Sequence, residues 1–85
     1  MAKKGVREVD VQLILSYVRR GFKIHVGHDK YSQIKWVFFK NPDGEGSGVQ
    51  FDRDTYTRYA LQKILDTATV AGARNFEVAE QERGG

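Results

Sequence analysis

The chain has 85 residues, with 14 Lys and Arg against 11 Asp and Glu, which is enough for one small core and leaves a weak positive excess. It has no cysteine, which excludes disulfides and thiolate metal sites, so the fold must rest on buried apolar side chains. No apolar run approaches the roughly 20 residues of a membrane-spanning helix, and no hydrophobic signal segment follows the basic start Met1-Ala2-Lys3-Lys4-Gly5. The expectation is a cytoplasmic protein with no membrane partner. Charge is uneven along the chain: residues 1–63 hold 12 Lys and Arg against 7 Asp and Glu, whereas residues 64–85 hold 2 against 4. The basic excess therefore belongs to the body of the domain, where it attracts anions.

Residues 1–8 read as a flexible basic arm. Asp10 is placed to cap a first helix reaching Arg20, in which Val11, Ile14, Leu15 and Val18 share one face. Arg19 and Arg20 would suit the negative end of its dipole, and Gly21 would end it. Val9, Val11, Leu13 and Leu15 also alternate as a strand does, but the adjacent apolar pair Leu13-Ile14 and the Arg-Arg-Gly ending favour the helix.

Three strands are expected next. The first runs from Phe22 to Val26 and turns at Gly27-His28-Asp29-Lys30; the second runs from about Ser32 to Lys40. Asn41-Pro42-Asp43-Gly44 is a β-turn signal, and Glu45-Gly46-Ser47-Gly48 lengthens the loop before a short strand Val49-Gln50-Phe51. Asp52 is expected to cap a long second helix whose stripe is Ala60, Leu61, Ile64, Leu65, Ala68 and Ala71, closed by Gly72. Phe76 to Val78 would add an edge strand. The fold class is α+β in the order α-β-β-β-α-β, with an antiparallel three- to four-stranded sheet and two helices on one face. Residues 9–79 would form the domain, and residues 80–85 a flexible acidic, glycine-containing tail.

Strict alternation gives the sheet two unlike faces. One would carry Phe22, Ile24, Val26, Ile34, Trp36, Phe38, Val49 and Phe51 and would be the core. The other would carry Lys23, His25, Lys35, Val37, Phe39 and Gln50. If both helices shield the Trp36 side, the second face meets solvent. There Lys23, His25, Lys35 and Phe39, with Lys40, Arg19 and Arg20 on the rim, would hold phosphates and stack bases. The expected function is a small non-enzymatic domain that binds single-stranded DNA or RNA, with dimerisation as a way to lengthen the groove. A Phe39 packed inside the core would remove that platform. The alternative is a protein-interaction module, such as a small regulator or inhibitor of the kind mobile genetic elements encode. It would bind a host protein with Val37 and Phe39 as anchors.

Nothing in the chain forms a catalytic signature. Helix capping accounts for the paired Asp52 and Asp54. Asp43 and Glu45 fall in a turn-forming loop, and Gly44-Glu45-Gly46-Ser47-Gly48 lacks the lysine of a phosphate-binding loop. His25, His28 and Asp29 lie near one another but lack a further ligand. No enzyme activity, cofactor or metal is expected. Tyr56 and Tyr59 are expected to pack on the core with their hydroxyls in water.

The stretch Gly46 to Tyr56, preceded by Asn41-Pro42-Asp43, resembles the strand-into-helix segment of single-stranded DNA-binding transcriptional coactivators. The resemblance covers about residues 33–65. It implies a dimer that binds strands across its sheet, although that family has no helix before the sheet. The helix–three-strand–helix order is similar to that of double-stranded RNA-binding domains. Asp52-Arg53-Asp54 is acidic where that family places lysines.

Overall fold

Six elements follow one another: α1 (Glu8–Arg19), β1 (Lys23–His28), β2 (Ile34–Lys40), β3 (Gly48–Asp52), α2 (Arg58–Val70) and β4 (Glu77–Val78). The computed structural model describes residues 3–43 and 47–73 together with the backbone of Glu77–Val78. The tip of the expected loop at residues 44–46 and the expected tail at 80–85 lie outside the described residues, as does Phe76. β1, β2 and β3 form an antiparallel sheet, and the sheet order is β3-β2-β1-β4. The chain is thus a small α+β domain. β4 pairs with β1 in parallel, through His25–Glu77 and Val26–Val78, and not in the antiparallel sense expected. A parallel neighbour needs a crossover connection, and α2 precedes β4 in the chain.

Both helices cover the same sheet face. Ile14 of α1 and Ala60, Leu61, Ile64 and Ala68 of α2 are buried with Ile24, Val26, Val37, Phe39 and Phe51 of the strands. A line of rings runs through this core. Phe22 stacks on Tyr17 at 4.9 Å, Tyr17 meets Phe39 at 5.5 Å, Phe39 meets Phe51 edge-on at 5.7 Å, and Phe51 meets Tyr56 at 5.4 Å. Tyr56 is buried as expected, but Tyr59 is largely exposed, as is Ala71 at the end of the expected stripe.

The helix ends differ from expectation at their starts and agree at their stops. Arg7, not Asp10, precedes α1; Asp10 lies in its first turn, where its carboxylate accepts from the Arg7 N–H at 2.9 Å. This is the reciprocal half of a capping box, so the acid closes the helix start from inside. The expected loose arm is tied at Lys4. Its N–H donates to the Thr55 carbonyl at 2.7 Å, and its carbonyl accepts from the Thr57 N–H at 3.1 Å. At α2 the cap is Thr57, whose Oγ1 accepts from the Ala60 N–H at 3.0 Å. Asp52 instead closes the preceding turn, its Oδ1 accepting from the Asp54 N–H at 3.1 Å and its carbonyl from the Tyr56 N–H at 2.9 Å. Gly21 and Gly72 both have positive φ, at 84° and 94°, and end the two helices.

Asp10 is 3% exposed. Burial pushes its carboxyl up, but hydrogen bonds from the Arg7 backbone and guanidinium, and the Arg7 charge, outweigh this and hold it below its ordinary value of 3.8. A carboxyl lowered on folding stabilises the protein above its unfolded value, and that contribution is lost as pH falls through the folded value. Stability should therefore decline on acidification below about pH 4. Asp10→Ala should cost about 1–2 kcal/mol at neutral pH and flatten the acid limb, as read from urea unfolding at stepped pH. An unchanged acid limb in Asp10→Ala would exclude this account.

Candidate functional site

The faces of β2 are inverted relative to strict alternation. Val37 and Phe39 are both 0% exposed and lie in the core, while Trp36 and Phe38 are only half-buried. The cause is a bulge. Val26 pairs with Val37 and Gly27 with Trp36, but His28 pairs with Ile34, so Lys35 is an extra residue on β2 opposite Gly27. An inserted residue resets the period of two, which lets Ile34 and Val37 both face the helices and puts exposed Lys35 beside Trp36.

The expected platform built on Phe39 therefore does not exist, and Val37 and Phe39 cannot anchor a partner protein. Cross-strand register defines what the face left uncovered by the described residues carries in their place. Lys23 pairs with Lys40, His25 with Phe38 and Gly27 with Trp36; across the next ladder Trp36 pairs with Asp52, Phe38 with Gln50 and Lys40 with Gly48. The His25 and Phe38 rings lie 6.3 Å apart. Phe38 also reaches diagonally across Gly48: a Cβ there would stand 2.6 Å from Phe38 Cζ and would strike the Phe39 carbonyl oxygen. Glycine at position 48 is what lets that ring lie against the edge strand.

Of the residues expected at the site, Lys23, Lys35 and Lys40 are exposed and His25 is half-buried; these four share the uncovered side. Lys23 and Lys40 are direct cross-strand partners, and among the described residues neither joins an ion pair. Two like charges set opposite each other cost stability, and an anion laid between them removes that cost. Arg19 and Arg20 lie beyond this same end of the sheet. Arg20 is turned to the helix side, with its guanidinium 5.0 Å from the centre of the buried Phe22 ring. Neither arginine belongs to the open face.

At the other end of β2 a depression of about 300 Å³ is lined by Lys35, Trp36, Gln50, Asp52, Arg53 and Asp54. Arg53 is engaged there: it donates to Asp29 Oδ2 at 2.9 Å and ties the β1–β2 turn to the turn before α2. The turn is built on Asp29, whose Oδ1 accepts from the N–H groups of Tyr31 and Gln33. The Gln33 hydrogen bond above all, with those of Tyr31 and Arg53, holds the Asp29 carboxyl below its ordinary range against a smaller opposing effect of burial.

His25 and His28 do not form a joint site. His25 faces Phe38 on the open side, and His28 lines a separate groove of about 360 Å³ with Ile34, Arg58, Tyr59 and Leu65. Among the described residues no group of three or more His, Cys, Asp or Glu is placed to hold a metal, and no helix is long and apolar enough to cross a membrane.

Sequence reasoning missed Trp36 and Phe38 as surface rings and Asp52 as their neighbour. A signal was present. Lys40 lies two and four positions from Phe38 and Trp36, so alternation puts all three on one face, and a lysine there marks that face as the solvent side.

No protein-family model, curated protein or solved structure matches the chain.

Proposed function

We propose that the uncovered sheet face binds single-stranded nucleic acid without catalysing a reaction. One observation carries this reading: Trp36 and Phe38 lie on the same uncovered face as the opposed pair Lys23 and Lys40, with Lys35 beyond them. Rings two residues apart on one strand stand about 7 Å from each other, a ladder on which successive unstacked bases can rest while lysines follow the phosphates. A duplex buries its base faces and offers this arrangement nothing to stack.

A titration of labelled single-stranded and duplex oligonucleotides at low and high salt tests the proposal. Single strands should bind more tightly. With Lys23, Lys35 and Lys40 each neutralising one phosphate, log affinity should fall against log salt with a slope of roughly −2, at about −0.7 per contact. Lys23→Glu or Lys40→Glu should lower affinity and flatten the slope with folding intact. Salt-independent binding, or none, would refute the reading.

A protein partner is the second reading, and Val9 and Leu13 favour it. They are 50% and 43% exposed and lie one turn apart on α1, forming a small apolar stripe. This reading predicts a complex that tolerates salt and Lys40→Glu but is broken by Leu13→Glu.

A further inference from the structure

On β1, β2 and β3 the open face carries a single acid, and it stands beside Trp36. Asp52 is its direct partner on β3, Gln50 is the next residue along that strand on the same face, and both line the same depression as Trp36. A carboxylate at this spot repels phosphate, so beyond closing the turn before α2 it adds nothing to a surface that only follows a backbone. Its oxygens are fixed in place. Oδ1 accepts from the Asp54 N–H at 3.1 Å and Oδ2 from Gln50 Nε2 at 3.3 Å. Each oxygen has a second lone pair for another donor. Gln50 Oε1 remains a further acceptor on the same edge.

An edge made of acceptors selects a base that presents donors. On its Watson–Crick edge guanine offers two adjacent donors, the N1–H and the N2 amino group, which match the two oxygens of a carboxylate. Adenine offers one amino group beside an acceptor nitrogen, which would face a negative charge. Uracil and thymine place one N–H between two carbonyl oxygens, and both of those would be repelled. Resting on the nucleic-acid reading above, we infer that the platform selects guanine at Trp36. A base stacked on the indole turns its edge toward β3, where Asp52 accepts from N1–H and the N2 amino group and Lys35 holds the adjoining phosphate.

The test uses the whole chain and short thymidine strands carrying one central guanine, inosine or adenine. Binding is followed by quenching of Trp36, the single tryptophan. Guanine should bind about tenfold more tightly than adenine, the scale of one good bidentate base contact. Inosine keeps N1–H and lacks the amino group, so it should fall between them. Asp52→Asn preserves the side-chain oxygen that closes the turn and removes the charge; it should bring guanine and adenine level while leaving salt-dependent binding in place. Equal binding of the guanine and adenine strands by the native chain, or a guanine preference that survives in a folded Asp52→Asn, would overturn the inference and leave the platform standing. Failure of every strand to bind would overturn platform and inference together. Equal binding of the guanine and inosine strands would also overturn the inference, and that comparison needs no variant, so it holds even if Asp52→Asn does not fold.

Discussion

Truncating Phe39 to alanine should cost about 3–5 kcal/mol, the scale of a large aromatic removed from a packed core, and leave much of the protein unfolded at physiological temperature. Phe39 is fully enclosed, with Tyr17 on one side, Phe51 on another and Ile24 and Val49 as strand neighbours. A domain this small has total stability near the bottom of the usual range of about 5–15 kcal/mol, so one such cavity removes most of it. Phe38→Ala, one residue earlier, should cost much less, because that side chain is half-exposed and lies on Gly48 at the sheet edge. Urea unfolding of the two variants settles which face of β2 is the core. The reverse order would restore strict alternation and dismiss the bulge at Lys35, and equal stabilities would contradict the burial of Phe39 alone.

Trp36→Ala is expected to have the largest effect on binding. Loss of one stacked base costs about 1–3 kcal/mol by alanine substitution, so affinity for a single strand should drop between roughly fivefold and a hundredfold. The melting temperature should move little, since the indole is half-exposed on the uncovered side of the sheet. Trp36→Phe should recover most of the affinity, because a smaller ring still offers a stacking face. Native affinity in Trp36→Ala, with the variant shown folded by circular dichroism, would remove the ring from the site.

These two experiments bear on residues of one strand with opposite fates, and here the amino-acid sequence is least informative. In β1 and β3 the two faces differ in chemistry: Ile24 and Val26 against Lys23 and His25, Val49 and Phe51 against Gln50. Burial then has only one sensible phase. In β2 the run Trp36-Val37-Phe38-Phe39 is apolar on both faces, and hydrophobicity does not distinguish one phase from the other. The neighbouring strands decide it. Ile24 and Val49 are the register partners of Phe39, and both face the helices, so Phe39 must join them.

Helix stops were legible because glycine is a local device: Gly21 and Gly72 take backbone angles that other residues avoid. Helix starts were less so. Aspartate closes turns as readily as it caps helices, and Asp52 does the former while Thr57 does the latter.

Composition, the glycine and proline punctuation and the apolar stripes of α1 and α2 were enough to specify element order, fold class and the presence of a one-sided sheet, because each depends on residues close together in the chain. Which aromatics the sheet leaves uncovered depends on one added residue opposite Gly27 and on pairing among three separate strands. That choice is made by the packing of three strands at once. It buries Phe39 with Val37 and brings Trp36 and Phe38 out beside the lysines.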